Sequence, residues 1–465
     1  MTTTDADLRP RQCPRRGRRR DDGSGTDPRS RSRTSRTGLL AFVALAIGIG
    51  VGGVATINTD HTTTPGAVAA PSSDIQSIAQ LEDAVQRDAA DVGSWQKLGV
   101  AYLHRAVATY NPDDYDLTQR AFDRADALAP DQDATLLGRG ALALSRHQFA
   151  EALVLGARVH DRNPAQPDAL SVIVDANVEL GHYDAARAAL QDLLDRRPGL
   201  PAYSRASYLL ELGGDNAAAL QAMRQAEIAG GTSTFDVATI DAFQGDIELA
   251  RGRFDAAGSR YATALRLQPD HVNATVGQAR VLALTGRRAR AVDSLVQLTR
   301  RVPLPAAVSL LGDLQTLEGH PADAAQSYGV VRTIDKLQQA AGQVTDLEMA
   351  VFEADHGDPA HALDLARRAY AERPDNVYVE DALAWSLYRA GDAAAARPVN
   401  ARAQRLGSAD PMIAYHAAAI AAANGDTTGA RASLGKVTTT NPWFSFRLHA
   451  EVLSLADRLG VRPPG

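Results

Sequence analysis

The chain has 465 residues, 45% hydrophobic, 22% charged and 5% aromatic, too apolar for a disordered polymer and too polar for a bundle of membrane spans. Its single cysteine, Cys13, excludes a disulfide framework and any thiolate zinc site. The net charge of −6 is unevenly spread: residues 1–37 hold 11 Arg against 5 Asp, leaving 38 basic and 50 acidic residues beyond residue 57.

Residues 1–37 are predicted to be a disordered basic tail. No aromatic residue interleaves its arginines, so it offers no stacking platform for nucleic acid, and no specific nucleic-acid partner is expected. Residues 38–57, from Gly38 to Ile57, are 20 residues without a charge. As a helix rising 1.5 Å per residue they span roughly 30 Å, the thickness of a bilayer's hydrocarbon core. The first basic residue beyond is Arg87, so the charge asymmetry predicts a single transmembrane helix with its N-terminus cytoplasmic and the bulk of the chain extracytoplasmic. A cleaved secretion signal is the competing reading. Its candidate site, Ala67-Val68-Ala69, lies ten residues past the apolar run, and the basic segment is long for such a signal. Gly48 and Gly52, four apart, let two membrane helices approach closely and offer a homodimer contact, although glycine is common in such helices. Residues 58–74, rich in Thr, Ala and Pro, read as a linker.

From there the chain repeats. Prolines fall at 130, 164, 198, 269, 303, 374 and 442, spaced by 34 or by close multiples of it. Ala152, Ala186, Ala219, Ala257, Ala291, Ala324, Ala362, Ala396 and Ala430 keep the same beat, and glycines such as Gly181, Gly252 and Gly391 precede them by five residues. The Gly suits a turn at positive φ, the Ala a close helix crossing, and the Pro the end of a second helix. Each unit is therefore two antiparallel helices.

The runs Trp95-x-x-Leu98-Gly99-x-x-Tyr102, Leu311-Gly312, and Gly252, Phe254, Ala257, Tyr261, Ala264, Pro269 resemble the tetratricopeptide repeat. The resemblance covers residues 75–459. It implies an all-α solenoid of about ten units in residues 75–442 and a capping helix and tail in 443–465, with a concave face lined by the first helix of each unit and used to bind proteins or peptides. Departures are expected to lengthen helices or bulge loops: extra residues near Asn111, near Gly230 and between Leu337 and Gln343, His147 in place of a turn glycine, and Pro398 inside a second helix, which should kink it or delay its start. Residues 75–88 should cap the N-terminal end.

No spacing for catalysis stands out. A phosphate loop, a His-Glu-x-x-His run and a Gly-x-Ser-x-Gly elbow are all absent. His356 and His361, five apart, read as solvated turn residues, and Asp113, Asp114 and Asp116 as a solvated helix start. No cofactor or metal is expected, and the chain reads as a non-catalytic scaffold or adaptor at the cell envelope. The rivals are a secreted or cytoplasmic regulator, or an enzyme with a site hidden between helices. Counting the repeat phase puts Asp175, Glu179, Arg205, Tyr208, Glu211, Asp246, Arg280 and Asp313 on the inner face, with Asp381, Trp385, Tyr388, Tyr415 and His416 towards the C-terminal end. The acidic lean predicts a basic partner segment entering near Asp175, Glu211 and Asp246. Trp385, Tyr388 and Tyr415 offer an aromatic anchor. Simple solubility explains the acidic residues equally well.

Overall fold

A computed structural model describes residues 72–109, 111, 113–229 and 234–462 of the chain. The basic tail with Cys13, the apolar stretch 38–57 with Gly48 and Gly52, and nearly all of the linker lie outside the described residues. Among the described residues no helix is long and apolar enough to cross a membrane.

The described residues form 22 helices and no strand. The first, α1 (Ser72–Arg87), packs Ile78 and Val85 against Leu98 and Tyr102 and closes the N-terminal end. Ten helical pairs follow. They are α2 (Val92–Thr109) with α3 (Asp113–Leu128), α4 (Asp133–Ser145) with α5 (Phe149–Arg162), α6 (Pro167–Leu180) with α7 (Tyr183–Arg196), α8 (Leu200–Leu212) with α9 (Asn216–Ala229), and α10 (Thr234–Ala250) with α11 (Phe254–Leu267). The second five are α12 (Val272–Leu284) with α13 (Arg288–Arg301), α14 (Pro305–Leu317) with α15 (Pro321–Ala340), α16 (Asp346–His356) with α17 (Pro359–Glu372), α18 (Val377–Arg389) with α19 (Ala393–Ala403), and α20 (Pro411–Ala423) with α21 (Thr427–Thr440). The last helix is α22 (His449–Leu459).

Local chemistry explains the units. Asp358, Asn376, Asp392, Asp410 and Asp426 accept backbone N–H groups at the starts of α17 to α21, satisfying donors that a helix leaves free. Gly181 ends α6 at φ 83°, and His147 takes the same left-handed turn at φ 59° where glycine is missing. The nine phased alanines are all buried, none more than 2% exposed, so each marks a crossing with no room for a larger side chain. Elsewhere glycine makes room for a ring. A Cβ on either Gly245 or Gly277 would strike Tyr261, which wedges between the first helices of two successive units.

The extra residues lengthen helices. α2 has 18 residues, α10 has 17 and α15 has 20, against 13 or 14 in most others. Pro398 does not delay its helix: α19 starts in phase, two residues after Gly391, and runs through the proline for 11 residues. Proline at that position removes a single bond, to the carbonyl of Ala394, close to the helix start. The C-terminal cap begins later than expected, at His449, because residues 443–448 fold back. Trp443 and Phe446 pack on the core of α12 to α14, while Phe444 and Leu448 join α20 and α21.

That fold-back belongs to a larger pattern. The array closes on itself: the second, third and fourth units meet the loops that begin the eighth, ninth and tenth, and the fifth meets the loop after the tenth. At the turn of the second pair, Val344 N–H donates to Arg146 O at 3.2 Å and His147 Nδ1 lies 3.0 Å from Val344 O. At the third, Asn376 Nδ2 donates to Glu179 O at 2.9 Å and Val377 N–H to the Tyr183 hydroxyl at 2.9 Å. Gly214 of the fourth abuts Gly407, and Asn441 Nδ2 donates to Leu249 O of the fifth at 3.3 Å. A Cβ on Gly181 or Gly252 would collide with the backbone across this seam, at Asp375 or Thr440. The first helices of the units thus sit inside, and the ends of α4, α6, α8 and α10 are covered by loops across the seam.

Candidate functional site

The inner face is formed by the first helix of each pair, and closure turns most of it into packed interior. Asp175 on α6 and Arg205 on α8 form a buried, two-pronged pair, with Nε to Oδ1 at 2.7 Å and Nη2 to Oδ2 at 2.6 Å. Burial pushes the Asp175 carboxyl up from its ordinary value, and the guanidinium pulls it back. Glu179 takes Arg373 from across the seam at 3.4 Å and the Tyr208 hydroxyl at 3.5 Å. Burial still lifts its carboxyl to about 7. Asp313 accepts from Tyr328 at 2.9 Å and meets His356 Nε2 at 2.7 Å. His356 is therefore a buried partner of Asp313 and not a solvated turn residue, while His361 is exposed as expected. Asp114 likewise departs from the solvated reading, being buried and paired with Arg105 at 2.9 Å and 2.5 Å.

Towards the C-terminal end the structure brings the expected aromatics together. Trp385 stacks on His416 at 4.0 Å between ring centres and on Tyr388 at 5.1 Å, meets Tyr415 edge-on at 5.9 Å, and donates Nε1–H to Asp355 Oδ1 at 2.8 Å. Trp385 and Tyr415 are buried and belong to the core shared by α20, α21 and α22, and Tyr388 is half-buried beside them. His416 Nδ1 lies 2.7 Å from Asp381 Oδ2, both side chains fully enclosed. The faces of these rings are covered by one another, so in this conformation the group packs the array.

The middle of the inner face is different. Asp246 on α10 accepts from the Tyr261 hydroxyl at 2.6 Å, and burial raises its carboxyl to about 7. Arg280 on α12 is buried, its Nε has no partner, and it forms no ion pair; Asp246 and Asp313 act on it only through their fields. Glu211, in the last turn of α8, has neither hydrogen bond nor ion pair on its carboxylate among the described residues. Burial and the charges of Asp246 and Asp410 hold its carboxyl well above the ordinary range. Asp410 was not among the residues expected from the repeat phase. It sits in the loop before α20, and Asp410-Pro411 reads simply as a helix cap, which it is: Oδ1 accepts from Met412 N–H at 2.8 Å. Only closure against Gly214, three residues past Glu211, brings its other oxygen inside. Arg373 and Tyr378 join the inner face the same way, with no local signal in the sequence.

Among the described residues no three acidic, histidine or cysteine side chains could hold a metal ion together.

Residues 143–208 and 244–304 match the tetratricopeptide repeat. Cellulose synthase 2 operon protein C of Komagataeibacter xylinus is 29% identical over 305 residues, 64% of this chain; the chain spans only 22% of that relative's length. A thermophilic tetratricopeptide repeat protein of Thermus thermophilus is 22% identical with a TM-score of 0.37, the match covering 41% of this chain and 99% of that one. A tetratricopeptide repeat protein of Parabacteroides merdae is 15% identical with a TM-score of 0.39, covering 57% of this chain and 97% of that one.

Proposed function

For a chain built of tetratricopeptide repeats, we propose that the function is non-catalytic: a protein-interaction scaffold held at the cell envelope. The observation that carries this reading is the array itself, ten helical pairs that run without interruption and end in a cap on each side. Such solenoids present long continuous surfaces, and their relatives use them to bind proteins or peptides. The membrane placement rests on the uncharged run 38–57, the 11 Arg before it and the absence of Lys or Arg between Ile57 and Arg87. In this reading the tail is cytoplasmic, the array is extracytoplasmic, and Gly48 and Gly52 offer a contact between two anchors. The name of the Komagataeibacter relative, from a cellulose synthase operon, fits a role beside an envelope machine.

Cys13, the single thiol, tests the placement. A membrane-impermeant thiol reagent should miss the protein on intact cells and label it after lysis, while external protease cuts between residues 58 and 74. Labelling of Cys13 on intact cells would invert the topology, and a mature protein lacking Cys13 would make the apolar run a cleaved signal. Crosslinking from the repeat region tests the scaffold reading: a defined partner protein supports it, and none from any face of the array contradicts it.

A further inference from the structure

Each other acid followed along the inner face has a counterpart: Asp175 with Arg205, Glu179 with Arg373, Asp246 with Tyr261, Asp313 with His356, Asp381 with His416. Among the described residues Glu211 has none, although a carboxylate half-buried beside two other acids is costly. Its surroundings are under-satisfied too. Asp410, 8% exposed, has a free Oδ2, and Asp381 Oδ1 and His416 Nε2, at 1% and 0% exposed, also lack partners. Two rings stand beside these acids. Tyr208 lies one turn before Glu211 on α8, and Tyr378, at the start of α18, packs into the same cluster. Glu211 and Tyr378 are only half-buried, so solvent-sized space reaches them.

We propose that the inner face where α8 meets the start of α18 and the loop before α20 receives a lysine or arginine side chain of the bound partner, its charge held by Glu211 and the free oxygen of Asp410 against the rings of Tyr208 and Tyr378. A cation between carboxylates and aromatic faces is stabilised by both. Among the described residues no three such side chains are placed to hold a metal ion together, which leaves a basic side chain as the occupant. The raised carboxyls of Glu211 and Asp410 agree, since burial disfavours the charge of each and a nearby positive group favours it. Asp175, fully engaged by Arg205, drops out of the expected basic-segment contact, while Glu211 and Asp246 remain and Asp410 is added.

The inference rests on the protein-binding reading and is tested apart from it. Nα-acetyl-lysine amide and Nα-acetyl-arginine amide are titrated into the full chain, with Nα-acetyl-norleucine amide as the neutral control, and followed by saturation-transfer NMR. The variants are Glu211→Gln and Asp410→Asn, the second keeping a side chain able to cap α20. The cationic probes should bind the native chain, the control should not, and the double variant should bind about tenfold more weakly or worse. Equal binding by norleucine, or no loss in the double variant, overturns the proposal. So does a pocket that holds only ordered water and takes neither cation. A partner that crosslinks equally to the double variant removes the cation pocket and leaves the scaffold standing.

Discussion

Asp175 and Glu211 face the same interior from successive units and meet opposite fates. Asp175 is gripped by Nε and Nη2 of Arg205, supplied by the next first helix along. Glu211 faces Asp410 across the seam and Asp246 on the next first helix, two more acids, and nothing among the described residues pairs with it. The first arrangement closes its own charge ledger and reads as architecture. The second leaves a standing demand for positive charge that the described chain does not meet. An acidic lean along a repeat groove therefore has two distinct meanings, and pairing separates them.

The comparison breaks most visibly at Arg205. Arg205→Leu strands Asp175 in a dry site and should cost about 3–5 kcal/mol in chemical denaturation, whereas Asp175→Leu with Arg205→Leu should recover most of that loss. If Arg205→Leu is neutral, the pair is not the buried clasp described here.

A pH series sharpens the same contrast. Glu179 and Asp246, raised to about 7, and Asp410, raised to about 6, are preferred protonated by the fold, while in the unfolded chain they ionise near 4. Between those values the native state holds more protons, so their stabilisation is lost as pH rises through 6 to 7. His147, lowered by burial, and His271, lowered to about 4, act oppositely: the unfolded chain takes up their protons below about 6.5 and the fold refuses them. The melting temperature should therefore be lower at pH 8 than at pH 6, with the two histidines offsetting part of the acids' effect only below about 6.5. A flat profile from 6 to 8 would mean that the inner acids are not enclosed.

The smallest effect is the most specific. Glu211→Gln removes an unpaired charge and keeps the shape, so it should leave stability unchanged or raise it slightly at pH 8, and narrow the difference between pH 6 and pH 8. A clear loss of stability would show that the Glu211 carboxylate has a structural partner after all.

The repeat was legible because its signals are local. Gly181 and Ala186 announce a turn and a crossing within five residues of each other, and the extra residues near 111, 230 and 340 announced longer helices. The inner-face positions were legible for the same reason, as Asp175, Arg205 and Trp385 all lie where the phase puts them. What the sequence did not show is the pitch of the superhelix. Whether Trp385 faces a partner or the core depends on how the next unit packs Tyr415 and His416 on it, and whether Asp410 is only a cap depends on contacts between residues nearly 200 apart, such as Asn376 with Glu179. The burial of His356 has no local signal either, since its partner, Asp313, lies 43 residues back on the first helix of the preceding unit.

Closure is thus the claim on which the rest depends. His182 and Asp375 are exposed and flank the place where Gly181 meets the loop before α18. With Cys13→Ser as background, His182→Cys and Asp375→Cys can carry spin labels for a double electron–electron resonance measurement on the full chain. A closed array predicts one short, narrow distance between the labels. A long or broad distribution would mean that the solenoid stands open, that the inner face is an ordinary groove, and that the pairing of its acids does not govern what it binds.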